Sequence, residues 1–90
     1  SNETTLQSIL SNPNPFTSTT TINYTIPKRS MVQLEVYDVL GRKVAVLAGG
    51  VMDAGPHSVE FAARNLADGV YTAIFLLNGT QYETKMVLRH

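Results

Sequence analysis

The chain has 90 residues, 43% of them hydrophobic, with seven basic and seven acidic side chains and neither cysteine nor tryptophan. A chain of that size holds one small domain around one core. Its zero formal charge lacks the field that gathers nucleic acid or anionic lipid, and without cysteine it has no disulfide framework and no thiolate metal site.

No apolar run approaches the roughly 20 residues of a membrane helix, and no charged segment followed by an apolar signal core opens the chain, so no membrane insertion is expected. Ser1-Asn2 reads as a cloning scar, which points to a domain cut from a larger protein. Residues 3–19 are rich in Thr, Ser, Asn and Pro, with Pro13 and Pro15 pushing the residues before them toward extended backbone. Residues 1–11 are read as scar and linker and residues 12–90 as the domain. Leu6, Ile9 and Leu10 have helical spacing in a segment too short to hold a helix, and are expected to pack onto the domain or fray.

From Thr20 the period becomes two: Ile22, Tyr24 and Ile26 share one face, Thr21, Asn23 and Thr25 the other. Pro27 to Ser30 interrupts this half-buried strand, and Val32, Leu34 and Val36 then alternate with Met31, Gln33, Glu35 and Tyr37. Asp38 to Gly41 forms a tight connection, with Gly41 available for positive φ. A third strand is predicted over Lys43 to Leu47, ended by Ala48-Gly49-Gly50. After a turn at Asp53 to Pro56, His57, Val59 and Phe61 alternate with Ser58 and Glu60. Arg64 to Gly69 leads out, Val70 to Leu77 is the most apolar segment and the candidate central strand, and Asn78-Gly79 is a two-residue hairpin signal into a last strand, Gln81 to Arg89. The pattern predicts an all-β fold: an immunoglobulin-like antiparallel β-sandwich of six or seven short strands with Greek-key connections.

Catalytic constellations are sought without success. A nucleophilic triad needs a base oriented by a carboxylate, but His57 is the one internal histidine and Ser58 falls on the opposite strand face. Glu35, Glu60 and Glu83 sit at outward strand positions and read as solvated charges rather than a glycosidase pair. Asp38, Asp53 and Asp68 precede glycines as turn aspartates do, without the alternating acidic spacing of a calcium loop. Gly49-Gly50 lacks the lysine and the helix of a phosphate loop. Tyr24, Tyr37, Tyr71, Tyr82, Phe16, Phe61 and Phe75 could stack on sugars, but most fall at alternating strand positions that favour a core. The Asn-x-Thr triplets at Asn2, Asn23 and Asn78 carry little weight as glycosylation sites. No cofactor is expected, and the chain is read as not being an enzyme.

The order of short motifs is more specific than any one of them. Asn12-Pro13-Asn14-Pro15-Phe16 is followed by Val36-Tyr37-Asp38-Val39-Leu40-Gly41-Arg42-Lys43-Val44, then Ala54-Gly55-Pro56-His57-Ser58-Val59, then Leu66-Ala67-Asp68-Gly69-Val70-Tyr71, and the chain closes on Lys85-Met86-Val87-Leu88. Over residues 12–90 it resembles the type A C-terminal sorting domains of the type IX (Por) secretion system. Thr17 stands where relatives often have asparagine, and Arg89-His90 extends beyond their usual lysine-hydrophobic ending. The resemblance implies a secretion signal that follows its cargo in the parent chain, passes through the periplasm, is recognised by an outer-membrane translocon, and is removed upstream by a sortase-like protease as the cargo reaches the cell surface or the medium. It implies turns at Gly41, Arg42, Gly55, Gly69, Val70 and Tyr71, and recognition at Lys85, Met86, Val87, Leu88, Arg89 and His90, with Lys85, Val87 and Arg89 on the exposed face. Arg42 fits a structural role, bonding loop carbonyls or a neighbouring strand, at least as well as a recognition role. Two alternatives are an immunoglobulin-like spacer or carbohydrate-binding module of a polysaccharide-degrading enzyme, and a flagellar hook-capping type assembly domain.

Overall fold

Wherever apolar and polar residues alternate in this chain, a strand forms with its apolar side turned inward. The structure, a computed structural model, describes residues 8–63 and 65–90. It contains seven strands: β1 (Ser8–Asn12), β2 (Thr19–Ile26), β3 (Ser30–Tyr37), β4 (Lys43–Met52), β5 (Gly55–Ala62), β6 (Gly69–Leu77) and β7 (Thr80–Leu88). Two antiparallel sheets, ordered β1-β2-β5 and β4-β3-β6-β7, pack face to face. The predicted immunoglobulin-like sandwich is thus the fold, with β2 to β3, β4 to β5 and β5 to β6 crossing between sheets.

Alternation decides the inner faces. Ile22, Tyr24 and Ile26 of β2 meet Val32, Leu34 and Val36 of β3, Tyr71, Ala73, Phe75 and Leu77 of β6, and Met86 and Leu88 of β7 in one buried cluster. Phe16 and Phe61 close one end of it, with ring centroids 5.9 Å apart. The apolar segment expected in mid-sheet is there: β6 lies between β3 and β7. Asn78 (φ 49°) and Gly79 (φ 90°) both adopt the left-handed backbone that a type I′ hairpin demands, so the turn joining β6 to β7 follows directly from those two residue types.

Three local expectations change. Ser8–Asn12, whose first four residues were read as linker, is an edge strand paired with Thr21–Thr25 of β2. Such a strand is held largely by backbone hydrogen bonds; of the residues expected to pack or fray, Ile9 packs against the core while Leu10 is 63% exposed, and Ser11 is buried beside them. Leu6 lies outside the described residues. Strand β4 does not stop at Ala48-Gly49-Gly50 but runs on to Met52, with Gly49 opposite Gln33 and Gly50 opposite Val32. Glycine is tolerated there because β4 is an edge, and register shifts at Leu34/Glu35 and Val36/Tyr37 bend it. Glu35, expected to be a solvated charge, has a side chain only 14% exposed and is paired with Lys43 Nζ at 3.2 Å.

Candidate functional site

The last strand is an edge: among the described residues β7 pairs with β6 and with no other strand. Because a two-residue hairpin makes Leu77 and Thr80 a hydrogen-bonded pair, alternate partners turn away from the sheet, and Gln81, Glu83, Lys85 and Val87 aim their backbone groups outward. Side chains alternate in the other direction. Met86 and Leu88 are fully buried in the core, while Lys85, Arg89 and His90 are exposed and Val87 is half-buried. Among the six residues marked for recognition, the structure therefore gives two an inward, packing position.

The outer edge of β7 is covered over its second half. Asn14 grips it with both ends of its amide: Nδ2 donates to the Lys85 carbonyl and Oδ1 accepts from the Val87 N–H, each at 2.9 Å. Phe16 continues the grip, its N–H donating to the Val87 carbonyl and its carbonyl accepting from the Arg89 N–H, again at 2.9 Å each. The result is a short parallel bridge between Phe16 and Leu88. His90 ends the strand against Asp68, whose Oδ1 accepts its backbone N–H at 3.0 Å and also contacts its Nδ1.

Turn residues gather at the same end of the sandwich. Asp38 organises the β3–β4 turn: Oδ1 accepts the N–H groups of Leu40 and Arg42, both at 2.9 Å, and Oδ2 accepts Arg42 Nε at 2.8 Å. Gly41, at φ 82°, supplies the backbone reversal that lets both N–H groups reach that carboxylate. Arg42 thus has a structural partner, but it is the Asp38 carboxylate rather than a loop carbonyl. The turn holds Val39 and Leu40 outward, 75% and 73% exposed. Beside it, Gly69 and Val70 open β6 opposite Leu88 and Val87, and Tyr71 donates its hydroxyl to the Ala67 carbonyl at 2.6 Å. That bond is the tyrosine corner of immunoglobulin-like sandwiches, tying the β5–β6 connection to the start of the strand. One concavity is lined by Asp38, Leu40, Arg42, Ala67, Val70 and Tyr71, and an adjoining one by Asp68 to Val70 and Val87 to His90. Gly55 stands apart at the opposite end, paired with Ile26.

The remaining candidates are engaged elsewhere. His57 stacks on Tyr24 with centroids 5.3 Å apart and places Nε2 2.7 Å from the Asp53 carbonyl, while the Ser58 hydroxyl bonds Asn23. Base and hydroxyl do not meet. Phe16, Tyr24, Phe61, Tyr71 and Phe75 are core, which leaves Tyr37 and Tyr82 as the less buried tyrosines among the described residues. Tyr37 donates to Glu35 Oε1 at 2.8 Å. No group of three or more His, Asp or Glu side chains among the described residues is placed to hold a metal ion.

A family model described as the secretion system C-terminal sorting domain, that of the type IX system, matches residues 12–89. The chain belongs to this family. As a sorting domain it is a signal for export to the cell surface or the extracellular space, in a family that is non-catalytic in general. No curated protein matches it. The matched residues run from the Asn12-Pro13 segment through the Asp38 turn to Arg89, and so include most of the elements that converge at this end of the sorting domain. Asp38 forms the turn expected of it, whereas sequence reasoning missed Asn14 as an organiser. An asparagine before a proline was visible, but its partner lies 73 residues away.

Three carboxylates at this end are held low by their hydrogen-bond partners. Asp38 is held below the usual carboxylate range, first by the Arg42 backbone N–H. Asp68 is lowered first by the His90 backbone N–H, and Glu35 first by the Tyr37 hydroxyl. A depressed folded value means these groups stabilise the fold above their unfolded pKa of about 4, and that this contribution is lost as pH falls through the folded values. Tyr24, raised by burial, and Tyr37, raised first by its bond to Glu35, work at the other limit. They favour the fold below their unfolded pKa of about 10 and cease to do so as pH rises through the folded values. Thermal melts from pH 2 to 11 are expected to show a plateau between these limits and a fall on both sides, with a shallower acid limb in Asp38→Asn. An acid limb unchanged in that variant would remove Asp38 from this account.

Proposed function

We propose that this domain carries its parent protein across the bacterial outer membrane because the type IX translocon reads the exposed side of β7 and its tail: Lys85, Val87, Arg89 and His90, with Met86 and Leu88 anchoring the strand from within. The observation that carries the proposal is the position of β7 at a sheet edge, where alternate side chains and part of the backbone are offered to a partner. Neighbouring Val39, Leu40 and Val70 extend the offered surface with exposed apolar groups. The cargo precedes the domain in the parent chain and brings the whole through the periplasm under its own first export signal. A sortase-like protease then cleaves upstream of the sandwich, in the segment that joins it to the cargo.

The test is a reporter fused ahead of the domain and expressed in a host with the secretion system. The triple variant Lys85→Glu, Val87→Thr, Arg89→Glu changes the outward side of β7 and no fully buried side chain. Secretion is expected to fall at least about tenfold, the effect of losing about 1.4 kcal/mol of recognition, with a melting curve close to that of the parent. Secretion at the parental level from a folded triple variant would overturn the assignment.

A further inference from the structure

The edge of β7 is a natural site for a partner strand, yet its C-terminal half is already taken by the chain's own residues 14–16. Four outward backbone groups, the Lys85 and Val87 carbonyls and the Val87 and Arg89 N–H groups, are all satisfied by Asn14 and Phe16. Among the described residues no strand covers the first half, at Gln81 and Glu83. Two outward residues make a short edge. Four, from Gln81 to Val87, would seat a strand of ordinary length, about five to six residues.

The two anchors of this strap differ in kind. Phe16 is buried, 2% exposed, with its ring against Phe61, so its backbone bonds to Val87 and Arg89 are tied to the core. Asn14 is exposed, between exposed Pro13 and Pro15, and is held by its own amide and by the Thr20 hydroxyl, which donates to the Pro13 carbonyl at 2.7 Å. Its two bonds to β7 are made in contact with solvent, where water replaces a lost hydrogen bond at small net cost. Swinging the Asn14 amide away while Phe16 stays seated frees the Lys85 carbonyl and the Val87 N–H, and joins them to the open edge at Gln81 and Glu83.

We infer that Asn14 is a displaceable clamp on β7, and that the partner which reads the sorting signal does so with an extended peptide segment that takes the clamp's place and pairs along Gln81 to Val87. This rests on the export reading given above and names its contact mode. The occupant is argued from the strap itself: an extended segment with a parallel bridge to Leu88 already sits on this edge, so its geometry accepts one. In the resting state the clamp, with the Glu83 and Lys85 charges, keeps the edge from unwanted strand pairing. Export then requires the exchange.

The experiment compares the parent chain with Asn14→Ala and with Thr20→Val, two releases placed outside β7. In the isolated 90-residue chain, amide exchange at Val87 is expected to rise about tenfold in Asn14→Ala, as loss of one exposed hydrogen bond implies, with the exchange of core amides such as Phe75 little changed. A synthetic peptide spanning residues 12–18 serves as the probe strand. It is expected to shift the amide resonances of Glu83, Lys85 and Val87 in Asn14→Ala and in Thr20→Val at concentrations that leave the parent chain unmoved. Both variants are expected to export the fused reporter at least as fast as the parent. Peptide shifts absent from both variants, or a tenfold loss of export in variants whose melts match the parent, would show the strap to be a fixed part of the fold or signal and overturn the proposal. Self-association of the released chains through β7 without peptide binding would assign the edge to a second copy and overturn it as well. If the parent domain itself fails to export the reporter while the peptide still binds the released edge, the export reading fails and the edge remains a strand-pairing site with another purpose.

Discussion

Deleting Lys85 to His90 is expected to unfold the domain, and with it any export activity. The deletion removes Met86 and Leu88, both with no exposed surface, and each such loss from a core costs about 2–5 kcal/mol. It also strips Tyr71 of its partner Met86 across the ladder and leaves Asn14 and the Phe16 backbone groups without their bonds. Small domains have only about 5–15 kcal/mol to lose. Circular dichroism is expected to show no cooperative melt, or one lowered by more than about 15 °C on the scaling of 4–8 °C per kcal/mol. Loss of secretion on deletion therefore reports collapse as much as recognition, and only substitutions at the outward positions separate the two. An unchanged melt in the deleted chain would place β7 outside the cooperative unit and contradict the packing described here.

Burial explains which parts of this arrangement could be read from residue order. Strands β2, β3 and β6 were legible because each has one face in the core, and a period of two then has only one workable register. The Asn78-Gly79 hairpin was legible because positive φ at two successive positions is a demand few residue pairs meet. Strand β1 was not: its pairing with β2 uses backbone groups that every residue has, and Ser8-Ile9-Leu10-Ser11-Asn12 has its two apolar residues side by side, without an alternating signature. The extension of β4 through Gly49-Gly50 was hidden for a related reason, since an edge strand tolerates the absence of side chains that a central strand needs. At the candidate site the outward alternation of Lys85, Val87 and Arg89 was visible. The Asn14 clamp was not, because a polar side chain aimed at a carbonyl and an N–H far along the chain has no local pattern at all.

Phe75→Ala is expected to be the most damaging single substitution, lowering stability by about 3–5 kcal/mol and the melting temperature by about 12–40 °C. Phe75 is fully buried at the middle of β6. Within its sheet it lies opposite Leu34 of β3 on one side and Tyr82 of β7 on the other. Across the sandwich its ring meets the Tyr24 ring edge-on, with centroids 4.8 Å apart. Removing it opens a cavity that neither sheet can close without moving the other, which is the condition under which cavity costs are highest. Ile74→Ala is the matched control. Ile74 is the next residue on the same strand, paired with Glu35 and Glu83 on the outer face and only half-buried, so its truncation is expected to cost about 1 kcal/mol. The ratio of the two effects, measured by urea unfolding, tests the register itself. A one-residue slip of β6 would put Ile74 inside and Phe75 outside and invert the order of the two variants.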